Sequence, residues 1–595
     1  MPDVLQRLKD RKLVQWAGAY VAFAFALLQG VDIVAQRFAW PAPIERFLIL
    51  GLILGFPVAV VVAWYHGERG AQHLSGGELS ILAVLFAIGG GILWYFARSD
   101  TADQATPAAP VIVQHAAVPT PRPAPDAAPI PAKSIAVLPF LNESGNKDQQ
   151  YFSDGLSEDL ITALSQFAGL KIISRDSAFQ FRGSKDTSAQ IGAHLGVAHL
   201  LEGSVQREGD EVRVSATLVK AADGAIVWSQ HYDRPYKDLF ALQDAITKAV
   251  AAALQAKLSI APYAVVQSDR PPSGNLDAYT AFLQGQAGMV FGDLCNKQVM
   301  ENLQSAIRLD PRYALAYVRV SQCWVGKFRV WHAAADGPQD IAQARAAIQT
   351  ALTLDPELAA AHVGHGFLLY SMDFDWYGAE AEYRRALQLA PDNVEAKAAL
   401  ADVLATLGQL QSAIALRRAV LKVDPRNVKD WLWLSSMLVS AGQLDDAERT
   451  TNKALALDPH IINSYVNLAE IEVLRGNAQR AMAFAHREPG PTWRRFGIAM
   501  AAQIGPDREG ADAALQALVA HNADTAASLI ADVYALRRDP DNMFKWLDRA
   551  WAQRDVGIEG LLNDPFILRY QRDPRFAALC KTAGLPTTTD AVAMK

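Results

Sequence analysis

Few side chains in this 595-residue sequence have types and spacing that suggest chemistry. An enzymatic site would have to be built around Asp154, Arg175 and Glu202. Glu202, Gly203 and Ser204 also form a candidate ligand contact. Their structural alternative is that Gly203 marks a bulge or a close backbone approach in a strand. His362 and His365 lie three apart on a predicted helix, a spacing at which two rings could share a metal, and His194 and His199 lie five apart. No Cys or acidic cluster stands beside either pair in the sequence, so no metal is expected. Asp373, Asp375 and Glu380 read as turn and solvated-face residues. A phosphate loop, a nucleophile elbow, a His-Glu-x-x-His zinc helix and the kinase motifs are all absent from the sequence. The chain is therefore read as no enzyme, with no catalytic residue and no cofactor. A net charge of -6 and a pI near 6.1 argue against nucleic acid as a partner. Three cysteines leave one over from any pair. Cys295 opens the second helix of a predicted hairpin and Cys323 lies on the next helix. Cys295 and Cys323 are the candidate pair for a disulfide if the compartment is oxidising.

The elements that would position these residues are of two kinds. Residues 134–260 read as one α/β domain. Ile135 to Phe140 is a short apolar run suited to a buried strand, and Leu170 to Ser174 a second. Between them Ser153 or Asp154 should cap a helix with Leu156, Leu160, Ile161, Leu164 and Phe167 on one face. Ala189 to Leu195 is a short helix ending at Gly196. Turn sequences at Arg207 to Asp210 and Ala222 to Gly224 predict an antiparallel meander of 198–206, 211–220 and 225–232. A closing helix would carry Leu239, Leu242, Ile246, Val250, Leu254 and Leu258 on one stripe.

In order and spacing, Ser134-Ile-Ala-Val-Leu-Pro-Phe140, Tyr151-Phe-Ser-Asp-Gly-Leu156, Ile172-Ile-Ser-Arg175, Leu195 to Val205, Val227-Trp-Ser-Gln-His-Tyr-Asp233 and Leu242-Gln-Asp244 resemble the TolB N-terminal-like domain. That family joins membrane-bound class III adenylate cyclases or CadC-like transcription regulators to tetratricopeptide repeats. The resemblance implies a periplasmic sensing or protein-binding module and brings no catalytic residues. In those relatives a cyclase or a DNA-binding winged helix precedes the membrane. Here twelve residues precede the first apolar stretch, so the output module is expected to be missing or on a separate protein.

At 51% hydrophobic and 20% charged residues the chain is apolar for a soluble protein, and the excess sits early. Residues 1–98 are read as a membrane anchor with transmembrane helices at 13–34, 47–65 and 79–97, each long enough for a hydrocarbon core of ~30 Å. A cleaved signal peptide is the competing reading of the first. Arg7, Lys9, Arg11 and Lys12 would hold the N-terminus in the cytoplasm. Three crossings then put the later domains in the periplasm of a multi-pass inner-membrane protein. Residues 99–133, rich in Pro and Ala, form a stiff tether; residues 261–274 form a second linker.

From 275 to 488 the sequence repeats. Ala390-Pro391, Asp424-Pro425 and Asp458-Pro459 recur at 34 residues, the tetratricopeptide period, after less regular copies at Pro311 and Pro356. Lys327 to Gly337 reads as a loop. Residues 489–595 are expected to add helical hairpins and cap the open end of the stack. The fold class is thus a multi-domain chain with an α-helical membrane anchor, an α/β domain and an all-α repeat solenoid. The groove of such a stack binds peptides or proteins, with His362, Lys397 and Asn467 as its candidate contacts. The expected function is a membrane-anchored scaffold or sensor whose partners are proteins and the lipid bilayer, with self-association open. The alternatives are an envelope client-delivery factor or a regulatory subunit of a cyclase-type enzyme.

Overall fold

The computed structural model describes residues 130–591, apart from 166, 255–256, 259–268, 290–294 and 331–336. The three expected spans, and the tether up to residue 129, lie outside the described residues. Among the described residues no helix is long and apolar enough to cross a membrane.

The α/β part opens with β1 (Ser134–Val137), buried along its whole length. It runs parallel to β4 (Lys171–Ile172) on one side and β5 (His199–Glu208) on the other. β5, β6 (Glu211–Lys220) and β7 (Ile226–Pro235) form the antiparallel meander, giving the order β4-β1-β5-β6-β7, with β2 (Leu141–Asn142) also beside β5. Period-two patterning decides which face is dry: Val212, Val214, Ala216 and Leu218 are buried under α1 (Gln150–Leu164) and α4 (Leu239–Ala253). The other face is covered at one end by α2 (Arg175–Phe179) and α3 (Ser188–Leu195), through Ala178, Ile191 and Leu195.

Local chemistry moves three of the expected boundaries. Asn146 accepts from the Asp148 amide and starts a single turn, so α1 begins at Gln150 and Ser153 and Asp154 are interior residues, not caps. The second strand shrinks to Lys171–Ile172. The closing helix stops at Ala253, and Leu258 belongs to β8 (Lys257–Leu258), which pairs with β3 (Phe167–Ala168).

The helical part pairs as eight hairpins among the described residues. They are α5 (Leu276–Gly288) with α6 (Lys297–Leu309), α7 (Ala314–Val330) with α8 (Gly337–Leu354), α9 (Ala359–Leu368) with α10 (Trp376–Leu389), and α11 (Val394–Thr406) with α12 (Leu410–Val423). There follow α13 (Val428–Ser440) with α14 (Leu444–Leu457), α15 (Ser464–Leu474) with α16 (Ala478–Arg487), α17 (Pro491–Gln503) with α18 (Arg508–Asn522), and α19 (Ala527–Leu536) with α20 (Pro540–Ala552). The repeat is written in the backbone: Gly408, Gly442 and Gly476 turn the chain within successive hairpins at φ of 75°, 70° and 78°, a conformation costly for any residue with a Cβ. Asn393 and Asn427 cap the next first helices. Ala379, Ala413, Ala447 and Ala481, fully buried, let helices touch closely. Helix α7 runs on to Val330, so the first residues of the expected 327–337 loop are helical.

Polar ties fix the register of this stack. Arg417 of α12, 1% exposed, donates to Asp402 of α11, to Asp430 of α13 and, at 3.1 Å, to the Ala398 carbonyl. One guanidinium thus joins three consecutive helices. Cys295, in the turn before α6, is joined to Cys323 on α7 by a disulfide, with Cα atoms 5.2 Å apart. A crosslink spanning 28 residues contributes about 3–4 kcal/mol in the chain-entropy picture.

The α/β part is docked on the solenoid at two places. At the first, α1 packs on α5, where a Cβ at Gly155 would stand 2.6 Å from Leu283. Asp159 accepts there from the Tyr279 hydroxyl and, at 2.5 Å, from the Gln243 amide. Burial, and then nearby Asp269, hold the Asp159 carboxyl well above the usual range. Asp269 and Arg270, expected in a linker, are packed as well: the Tyr313 hydroxyl donates to the Asp269 carbonyl and Arg270 pairs with Asp244 at 2.7 Å. At the second place, Ser174 and Ser177 of the α2 region donate to Asp424 in the turn after α12, while the Arg426 amide donates to Ser177 Oγ at 2.9 Å.

The two hydrogen bonds that Asp159 accepts make a sharp prediction. Asp159→Asn should leave thermal stability at pH 7 nearly unchanged. Asp159→Ala, which strips the Tyr279 hydroxyl and the Gln243 amide of their acceptor, should lose on the order of 1–3 kcal/mol. Equal losses in the two variants would mean that the junction needs a charged carboxylate.

Candidate interaction site

The α/β candidates are committed to packing. Asp154 pairs with Arg182 at 2.6 Å and accepts from Gln150 at 2.8 Å. Arg175 pairs with Glu158 at 3.1 Å. Both guanidinium groups lie over the Phe179 ring, at 4.7 Å for Arg175 and 5.5 Å for Arg182. Two acid–arginine pairs on one aromatic ring clamp α2 and the following turn against α1. Glu202 stands apart on β5, its carboxyl raised by burial. A Cβ at Gly203 would meet the Ser215 carbonyl at 2.4 Å and the Phe140 ring at 2.5 Å, the close approach its position in a strand suggests. Ser204 pairs in register with Leu141 and Ser215.

The groove candidates are likewise engaged. Lys397 pairs with Asp392 at 3.1 Å. Asn467, buried, donates to Ser436 Oγ at 3.4 Å. Glu382 of α10, which nothing in the local sequence links to the histidines, lies between His362 at 2.6 Å and His365 at 3.1 Å. A single acid from the neighbouring helix thus joins the pair. His362 also faces the Pro356 carbonyl through Nε2 at 2.9 Å, so both its nitrogens meet acceptors and its pKa is raised. Glu382 is held down at about 2. This is a helix-to-helix ion pair; among the described residues no cluster is able to hold a metal.

Residues 555–591 do not simply cap the last hairpin. They lie across earlier ones. Trp376 Nε1 donates to the Ala583 carbonyl at 2.8 Å, Asn563 to the Ala405 carbonyl at 2.6 Å, and Asp590 receives the Leu410 and Gln411 amides at 2.6 and 3.1 Å. Tyr370 donates to Glu559 at 3.0 Å. Ile558, Leu561, Phe566, Ile567, Phe576 and Leu585 join the same core as α9 to α20. The eighth hairpin meets the third: Trp551 packs on Phe374 at 5.9 Å and the Arg554 guanidinium lies 5.2 Å from that ring. Phe374 and Arg554 both adopt positive φ, 56° and 54°, rare for side chains of this size. The stretch of the stack from Tyr370 to Gln411 is thus covered in part by the chain itself.

The covered zone encloses Glu470 of α15, Asp532 of α19 and Asp564. Burial, then Asp564, pushes Glu470 up to about 8; burial, then Asp564 and Glu470, raises Asp532 well above its ordinary value; burial raises Asp564 to about 6. Glu470 keeps partial exposure to solvent.

An open concavity lies elsewhere, over α13 and between α12 and α14, with a volume of about 500 Å³. Leu421, Trp431, Leu434 and Leu438 form its floor. The Trp431 indole donates to the Pro425 carbonyl at 2.9 Å, which fixes the ring. Arg418 and Lys422 stand on one rim, Arg449 and Lys453 on the other. The sequence hid this site because the cations of its two rims lie 31 residues apart and each half looks like an ordinary solvated face.

Residues 131–249 match a family described as the second domain of HilA/YgeH-like transcriptional regulators. A curated relative named putative adenylate cyclase 3, from Rhizobium meliloti (strain 1021), is 36% identical over 231 residues. That match spans 38% of this chain and only 38% of the relative's length. Among solved structures, PilW, described as a widely conserved type IV pilus biogenesis factor, superposes at TM-score 0.31 with 19% identity over 36% of this chain and 92% of its own. YrrB, described as a tetratricopeptide repeat protein with an unusual peptide-binding site, does so at 0.26 with 19% identity over 36% of this chain and 99% of its own.

The three acids set a pH dependence. The folded chain holds their protons more tightly than the unfolded chain, so stability falls as pH rises from the ordinary carboxyl range near 4.5 through about 8, where Glu470 loses its proton. Glu470→Gln should raise stability at pH 8 by on the order of 1 kcal/mol, leave it little changed at pH 4, and flatten the slope between. Denaturant melts across that range check it; a destabilised variant at pH 8 would mean that the Glu470 charge is compensated.

Proposed function

We propose that this chain is a membrane-anchored protein-interaction scaffold, in which a TolB-like α/β domain and a tetratricopeptide solenoid are held as one body and displayed to partner proteins in the periplasm. The observation that carries the reading is the open concavity on α12 to α14. It has an apolar floor and charged rims on helices fixed in register by Arg417, the kind of preformed recess that proteins use for recognition. The docked α/β part makes it a platform, with Asp159 and Asp424 as the two fastenings. The anchor and the periplasmic location rest on the three apolar stretches and the early basic residues of the sequence. The Cys295–Cys323 bond suits an oxidising compartment. A second reading, a regulatory companion of a cyclase-type enzyme, is favoured by the name of the 36% identical relative.

Two experiments test this. A Cys295→Ser, Cys323→Ser, Cys580→Ser background carrying Ala117→Cys should react with a membrane-impermeant thiol reagent in cells with a permeable outer membrane. Protection until the inner membrane is lysed would put the domains in the cytoplasm. A photo-crosslinking amino acid at Arg418 should give discrete protein adducts in cells, and one at Glu208, at the end of β5, should not. Absence of adducts from Arg418 would count against the scaffold.

A further inference from the structure

The rims of the concavity carry a pattern more specific than positive charge. Arg418 and Lys422 are four residues apart on α12, and Arg449 and Lys453 are four apart on α14. Each rim therefore presents two cations about 6 Å apart along its helix axis. All four side chains are exposed. Asp446 engages Arg449 and stands 3.8 Å from Arg418, while Lys422 and Lys453 have no ion-pair partner among the described residues. Four cations against one carboxylate leave a local excess of positive charge in a chain whose net charge is -6. Such a reversal focuses field on whatever occupies the recess. Between the rims the floor is Trp431, Leu434 and Leu438, so the occupant must be apolar in its middle and anionic along both edges.

We infer that this concavity receives an acidic amphipathic helix of a partner protein, an inference that rests on the scaffold reading and names the partner's chemistry. Apolar residues on one stripe of that helix lie over Trp431, Leu434 and Leu438. Asp or Glu residues one turn apart on its flanks meet Arg418 and Lys422 on one side and Arg449 and Lys453 on the other. The match is geometric, because carboxylates at i and i+4 repeat at the same spacing as the cations that face them. An anionic membrane surface fits less well: the cations line two opposed rims of a recess instead of a flat face, and the remaining chain is net acidic.

The test uses the purified full chain in detergent and a labelled, synthetic four-turn helix with Leu on one stripe and Glu at i and i+4 on both flanks. Binding measured by anisotropy should weaken as salt rises. It should fall at least about tenfold when Gln replaces Glu in the peptide, and by a similar factor in the K422E/K453E variant, whose exposed positions should leave the melting temperature unchanged. Equal affinity for the Glu and Gln helices, or for the wild-type and variant chains, overturns the proposal. So does binding to anionic vesicles that the Glu helix fails to displace. If the Glu helix does not bind while adducts from Arg418 persist in cells, the scaffold stands and this partner chemistry falls; if both fail, both fall.

Discussion

A stack of helical hairpins buries each hairpin's faces on its neighbours, which leaves the first and the last with an apolar face and nothing to cover it. Much of this structure answers that constraint. At the first hairpin the cover is the α/β domain, whose α1 lays Gly155 against Leu283 of α5 and closes the core through Tyr279 and Phe282. At the other end residues 555–591 reach back over α9 to α12 instead of merely covering α20. Both solutions use parts of the chain far away in sequence. The α/β domain is thus a structural partner of the repeats as well as whatever else it does.

Polar groups in dry places give these contacts their specificity. Apolar helix faces tolerate sliding; Arg417 between Asp402 and Asp430 does not, because a one-residue slip would strand a buried cation. Asp424 belongs to the recurrent Asp-Pro turn, yet here its carboxylate is claimed by Ser174 and Ser177 of the α/β domain. One repeat motif thus does two jobs, ending a helix and seating a neighbouring domain.

How much of this was legible in the sequence depends on how local each signal was. The strands of the meander and the 34-residue period are read directly, because period two and the Gly and Asp-Pro turns are properties of neighbouring residues. The helix starts at Gln150, a few residues before the Ser153-Asp154 pair, because Asn146 caps a single turn that leads into it. What could not be read were juxtapositions. Glu382 meets His362 and His365 only once α9 and α10 fold together. Asp424 meets Ser174 across 250 residues, and the cations of α12 and α14 face each other only because a repeat separates them. No local pattern announces that Asn563, Ala583 and Asp590 fold back across the earlier hairpins.

The meeting of the eighth hairpin with the third, through Trp551, Arg554 and Phe374, changes the statistics of the array. An open stack behaves as a line of neighbours: its ends fray first and its middle outlasts them, so partial unfolding comes in graded steps. Joining distant members turns that line into a loop, in which opening the last hairpin also strips contacts from the third. Loss at one end then propagates to the middle. The same link delays completion on the ribosome, because hairpins three to eight must all have emerged before the contact forms. A repeat protein built this way gains the all-or-none behaviour of a globular domain while keeping the length of an array.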